Sequence, residues 1–264
     1  MKLLTPLAVT KELLNPVGTL AAPRMLVAAY RAGRAALSDT GLTDMTLIGY
    51  TAEFKEGARE GDTVEVALET APGVWPGDQA FNVLFSKGTD TTGRVGKWHL
   101  LFAKKQEARP LPYDITLAIA DGLTDRELWQ ADPIVATGDE ERDAQRLLWP
   151  IGQSARAYMK QLDLAFAAQP RVTCVDDVHH RIYAGIAVTL HLCRWPDADQ
   201  EIRCALQHQR PLQEQPKSKW MEFPGVLVAQ DGSGTSLLGT CRFSVSRLSE
   251  ERIPVYADGT RESQ

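Results

Sequence analysis

Five consecutive residues, Asp176-Asp177-Val178-His179-His180, form the densest group of titratable side chains in the chain. Carboxylates and imidazoles can take up and return a proton, or activate a water. In an extended strand alternate side chains share a face, so Asp176, Val178 and His180 point one way and Asp177 and His179 the other. Val172 and Cys174 share the face of Asp176. At about 3.3 Å per residue, Asp176 and His180 stand roughly 13 Å apart, which excludes a dyad of those two alone. Each needs a partner from elsewhere in the fold. A plainer reading makes the cluster solvated residues at a strand end. A second chemistry uses backbone alone. The free N–H groups and partial positive charge of a helix N-terminus can polarise a carbonyl and hold the oxyanion that develops on it. Two stretches read as helix starts, Gly18–Leu20 and Gly152–Ser154, which makes Gly18, Thr19, Gly152 and Ser154 candidate substrate contacts. Gln153 can orient a water or donate to a carbonyl, and Tyr50 can donate to an acyl carbonyl; their plainer readings are a first-turn residue and a core tyrosine.

The elements that must carry these groups are legible in part. Apolar positions Leu20, Met25, Leu26, Ala29, Ala32, Ala36 and Leu37 follow a 3.6-residue period, with Pro23 in the first turn. Met45–Phe54, Thr63–Leu68, Gln79–Lys87 and Gly96–Lys105 read as antiparallel strands, with Gly57 and Gly61 at the bend between the first two. Residues 106–144 are polar or helix-breaking and read as a linker, with short helices at 114–130. Beyond it, Trp149-Pro-Ile-Gly-Gln153 reads as a turn and Ser154–Phe166 as a helix. Arg171–Trp195 reads as a strand pair broken at Gly185. Glu201–Gln209, Val226–Gln230 and Leu237–Leu248 are further strands, and the tail from Glu250 is polar.

The 264 residues carry a formal net charge of −5 and no basic stripe, so no electrostatic footprint for nucleic acid exists. No apolar run reaches about 18 residues, which argues against a membrane span, and the N-terminus makes a poor signal peptide. Cys174, Cys193, Cys204 and Cys241 form no C-x-x-C pair and read as reduced, buried small residues, which argues for the cytoplasm and against a metal site. No cofactor is expected.

The chain carries its plan twice. At an offset of 124, Tyr50–Leu68 lies over Cys174–Leu192 without a gap, with Gly61 on Gly185 and Val64 on Val188. The stretch from Gly96 to Lys104 matches that from Gly239 to Arg247 in the same order, and each half has a helix after a Gly-containing turn. A helix followed by a long bent antiparallel sheet, used twice, resembles the double hotdog fold, an α+β architecture in which two sheets join edge to edge. The expected division is a first repeat at 1–105, the linker at 106–144, a second repeat at 145–250 and a tail at 251–264.

The first half resembles the small acyl-CoA thioesterases. Asn15-Pro-Val-Gly18-Thr19 stands where those enzymes commonly carry an Asp-x-x-Gly-His turn, with Asn15 for the Asp and Thr19 for the His. Glu60-Gly61-Asp62 resembles their Gly-Asp passage, and Gly152-Gln153 the Gly-Gln that starts a helix in longer thioesterases. The resemblance implies an acyl-thioester-processing enzyme, with coenzyme A or an acyl carrier protein as the carrier and Asn15, Gln153, Asp176 and His180 as catalytic candidates. Hydrolysis leads. A dehydratase or other acyl conversion in a polyketide-like pathway comes second, since Phe223-Pro224-Gly225 and His180-x-x-x-x-Gly185 resemble parts of dehydratase motifs. A non-catalytic acyl-binding or scaffold protein is the third reading. A homodimer is compatible with all three.

Overall fold

The computed structural model describes residues 1–15, 18–88, 93–104, 128–130, 132–167, 183–207, 220–231 and 234–247. Helix α1 (Ala22–Asp39) turns Met25, Leu26, Ala29, Ala32 and Leu37 inward, and all five are buried. Burial of each large side chain contributes about 1.5–3 kcal/mol. Gly41, at φ +76, ends the helix, its N–H reaching Ser38 O at 3.0 Å and that of Leu42 reaching Leu37 O at 2.9 Å. That paired closure needs a left-handed residue, which glycine adopts without strain.

The strands of the first half are β1 (Lys2–Leu3), β2 (Leu7–Ala8), β3 (Met45–Phe54), β4 (Thr63–Ala71), β5 (Gln79–Lys87) and β6 (Arg94–Lys104). The second half supplies β7 (Leu128–Gln130), β8 (Ile134–Val135), helix α2 (Glu140–Ala167), β9 (Tyr183–Leu192), β10 (Glu201–Gln207), β11 (Trp220–Asp231) and β12 (Gly234–Arg247). They form one sheet in the order β1-β4-β5-β6-β3-β9-β12-β11-β10-β7, with β2 beside β4 and β8 beside β10. Each half thus places its post-helix strand, β3 or β9, at the centre and strands of two or three residues at its outer edge. Strands that short leave little unpaired backbone for another chain to join.

β3 and β9 run antiparallel, with Thr51 opposite Thr189 and Gly49 and Glu53 opposite His191 and Ala187. A pseudo-two-fold axis therefore passes between the two threonines and relates residues 138 apart, the difference between 189 and 51. β9 is the counterpart of β3. The offset of 124 is thereby corrected, because it laid β4 over β9. Alternating apolar residues after a glycine fit any half-buried strand, so the pattern did not fix which strand was matched. The second match keeps its register. His99 lies opposite Thr51 and Arg242 opposite Thr189, which sets Gly96 over Gly239.

The expected linker contributes to the second half, since β7, β8 and the first turn of α2 fall within 106–144. The helices suggested at 114–130 lie outside the described residues except at 128–130, which are strand. The turn expected at Trp149–Gln153 is also corrected, for α2 runs unbroken from Glu140 to Ala167 with Pro150 inside it. An interior proline costs about 3 kcal/mol. The opposing gain is a stripe, Ala144, Leu147, Ile151 and Ala155, buried on both sides of the proline. Asp139 caps the helix through Arg142 N at 2.9 Å, and the buried Asp143 carboxylate accepts from Thr137 N, Thr137 Oγ1 and Gly138 N.

The halves are clamped from above. Glu140 accepts from Thr46 Oγ1 and from Leu47 N at 3.1 Å, beside the bulge in β3. Arg31 on α1 meets Glu141 on α2 through two bonds of 2.9 and 2.8 Å. α1 packs over β5 and β6, and α2 mainly over β10 and β7, with a smaller contact on β12. The paired centre, β3 and β9, forms the floor between the helices.

Candidate active site

The start of α1 was the first expected oxyanion site. Its approach is a closed turn. Gly18 N donates to Asn15 O at 3.0 Å, Thr19 N to Asn15 Oδ1 at 3.1 Å, Leu20 N to Ala58 O at 2.7 Å and Ala21 N to Leu13 O at 2.9 Å. Asn15 Nδ2 donates in turn to Thr19 Oγ1 at 2.9 Å. Pro23 has no N–H, and Arg24 N turns back to Ala21 O at 3.0 Å. Of the first-turn donors, only Ala22 N–H is left among the described residues. The expectation that Gly18–Leu20 present free donors is therefore corrected. Asn15 and Thr19 serve the turn, which locks the approach to α1 against the bend after β3. A Cβ on Gly57 would lie 2.4 Å from Thr19 Cγ2, so only glycine lets the bend approach this closely.

Gly152, Gln153 and Ser154 stand in the interior of α2, twelve to fourteen residues beyond its first residue Glu140. Interior N–H groups bond the carbonyl four residues back and are not free donors. As a helix start these three are corrected as well. The Gln153 side chain is half-buried. Asp176 and His180 lie outside the described residues, as does most of the strand pair expected from Arg171; β9 begins at Tyr183. Phe223-Pro224-Gly225 is interior strand within β11, with Pro224 opposite Arg242.

The floor between the helices carries Tyr50, Phe54 and Trp98 on its inner side. Tyr50 and Trp98 meet edge to face at 5.5 Å between ring centroids, and Phe54 meets Trp98 at 5.8 Å. Tyr50 and Trp98 are fully buried, and neither Tyr50 Oη nor Trp98 Nε1 has a hydrogen-bond partner among the described residues. Burial, then the nearby Cys241 and Cys204 thiols, holds the Tyr50 phenol well above its ordinary pKa, so it stays protonated and can donate.

Those two thiols lie 3.7 Å apart, leaning across Gly225 on the strand between them. Their hydrogen bond and burial push the Cys241 thiol up, which leaves no thiolate to attack a carbonyl. Two strand spacings separate their backbones by roughly 9–10 Å. A disulfide spans at most about 7 Å between Cα atoms, so the pair does not oxidise in place.

The outer side of the sheet holds a second polar assembly that sequence reasoning missed. Asn82 Nδ2 donates to Glu69 Oε1 at 3.1 Å, and Asn82 Oδ1 lies 3.1 Å from His99 Nδ1. The amide oxygen only accepts, so the network assigns the proton to Nδ1 of His99. Burial, then Lys97, lowers the His99 pKa. His191 lies diagonally across β3 from it, and burial followed by the charge of His99 lowers its pKa to about 4. The three partners sit on three strands, 69, 82 and 99. Only strand register, which spacing does not reveal, brings them together. Among the described residues no cluster of histidine, cysteine or acidic side chains could hold a metal, and no helix is long and apolar enough to cross a membrane.

No family model matches the chain by sequence, and no curated protein does. Solved structures do match by shape. An oleoyl thioesterase from Lactobacillus plantarum superposes with a TM-score of 0.59 at 11% identity, over 93% of this chain and 96% of that one. A 12:0-ACP thioesterase from Umbellularia californica gives 0.56 at 12% identity, over 92% and 93%. A protein of unknown function with a hot dog fold from Alicyclobacillus acidocaldarius gives 0.52 at 12% identity, over 94% and 96%. With its two helix-and-sheet halves joined at β3 and β9, the chain has a double hotdog fold.

Proposed function

We propose that this protein hydrolyses acyl thioesters of coenzyme A or of an acyl carrier protein. The observation that carries the reading is the floor between α1 and α2, where an apolar surface meets the buried hydroxyl of Tyr50. Proteins of similar shape at low identity include an oleoyl thioesterase and a 12:0-ACP thioesterase. In this reading the acyl chain lies along the floor. A carboxylate or imidazole of the Asp176–His180 cluster takes a proton from water. The water oxygen attacks the carbonyl carbon, the C–S bond breaks, and the proton passes to the departing thiolate. Gln153 orients the water through its side chain. The compartment this implies is the cytoplasm, where such thioesters are made and used.

Release of free thiol from a panel of acyl-CoA and acyl-carrier thioesters tests the reading. Wild-type protein should release thiol from at least one, and Asp176→Ala or His180→Ala should lower that turnover at least tenfold, about 1.4 kcal/mol. Unchanged rates in both folded variants would move the base elsewhere. A second reading, acyl binding without turnover, is favoured by the closed turn before α1, which leaves Ala22 N–H as the lone free donor there. Tight binding of a thioester with no thiol released would select it.

A further inference from the structure

We propose that the acyl group this protein takes carries a neutral oxygen along its chain, a keto or hydroxyl group seated against Tyr50 Oη and Trp98 Nε1. The proposal rests on the reading that the floor between the helices receives an acyl chain. Buried polar groups are paired in the great majority of cases, and an orphaned donor costs about 1–3 kcal/mol. Here two orphaned donors belong to rings in mutual contact, in the middle of an otherwise apolar floor. Their neighbours on the inner face are Leu100, Leu190, Ala52, Val188 and Phe54. An N–H or O–H that faces an aromatic ring recovers only part of a hydrogen bond.

The chemistry of the pair selects the ligand. An indole only donates, and a phenol held protonated donates readily, so both suit an acceptor. The buried polar residues of the described chain are Thr46, Asp78, Asp143, Gln200, Thr240 and Ser244, with no lysine or arginine among them. A carboxylate brought to the floor would meet no buried lysine or arginine among the described residues and would retain most of its desolvation cost. A saturated chain would leave both donors as they stand. A neutral carbonyl or hydroxyl oxygen satisfies them and brings no charge.

Binding of non-hydrolysable thioether analogues of acyl-CoA, matched in length and either saturated or carrying a mid-chain keto group, tests this by calorimetry. The wild-type protein should bind the best-placed keto analogue roughly tenfold tighter than the saturated one, the gain of pairing otherwise orphaned buried donors. Tyr50→Phe should erase most of that preference, bringing the two analogues to within about twofold of each other, and Trp98→Phe should reduce it. Tyr50→Phe loses only an unpaired hydroxyl, so its denaturation midpoint should be no lower than that of wild type. Equal binding of both analogues to wild type and Tyr50→Phe would overturn the proposal and leave the acyl-binding reading intact. Binding of neither analogue would overturn that reading as well.

Discussion

His191→Gln should remove much of the acid sensitivity of this fold. His191 is largely buried on the outer side of β9, opposite Gly49 on β3 and Thr240 on β12. A Cβ at Gly49 would sit 3.1 Å from its Nδ1, so the ring packs closely over that glycine. Its folded pKa is about 4, against 6.5 when exposed, with burial the first cause and His99 the second. The sign follows directly. Below pH 6.5 the unfolded chain binds a proton that the folded chain refuses, so stability falls as pH drops from 6.5 towards 4. At 1.36 kcal/mol per unit, about 2.5 kcal/mol is lost by pH 4.5 from this residue alone. His99 acts in the same direction and remains in the variant. Urea unfolding at pH 7.5 and 4.5 measures the loss for wild type and for His191→Gln. The variant should lose roughly 2–3 kcal/mol less than wild type. Equal losses in the two proteins would refute burial of a neutral imidazole at this position.

Asn15→Ala should destabilise by about 1–2 kcal/mol in urea, because it strips the acceptor from Thr19 N and the donor from Thr19 Oγ1; an unchanged midpoint would mean the turn is held by other bonds. Gly57→Ala should cost about 1–3 kcal/mol by collision with Thr19 Cγ2, and adding Thr19→Ser, which removes that methyl, should restore most of it. Glu140→Ala should cost roughly 2–3 kcal/mol by releasing Thr46 and the Leu47 N–H, with a lower thermal midpoint as the readout. No change there would place the clamp between the halves in the Arg31–Glu141 pair alone.

The four long strands of the first half were readable from residues that favour strands between turn residues, alternating from Thr63 to Leu68 and only in part from Met45 to Phe54, while the two-residue strands β1 and β2 were too short to carry a pattern. The helix at Pro150 was not. Proline and glycine close together normally end a helix, and only tertiary burial of Leu147 and Ile151 on either side keeps this one going. Tyr50 was legible as a donor but not as an unpaired one, since that depends on what its hydroxyl meets. The turn at Asn15–Thr19 was legible as a turn; that it uses up its own N–H groups follows from Leu13 and Ala58, which no spacing rule ties to it. Glu69, Asn82 and His99 lie in different strands and acquire meaning only through register.

The seam at Thr51 and Thr189 also has a consequence for synthesis on the ribosome. The partners of β3 on one side, along β6, are complete once residue 104 has emerged, but its other edge waits for β9, which begins at residue 183. During that interval Met45–Phe54, an apolar strand with few charges, offers open backbone to any chain nearby. Two nascent copies can meet there, each lending its β9 to the other's β3. A domain-swapped dimer built this way keeps every native strand pair, because the axis that joins the halves within one chain joins them equally well between two. Slowed translation or a high density of ribosomes on one message should raise the yield of such dimers, and dilution during refolding should suppress them.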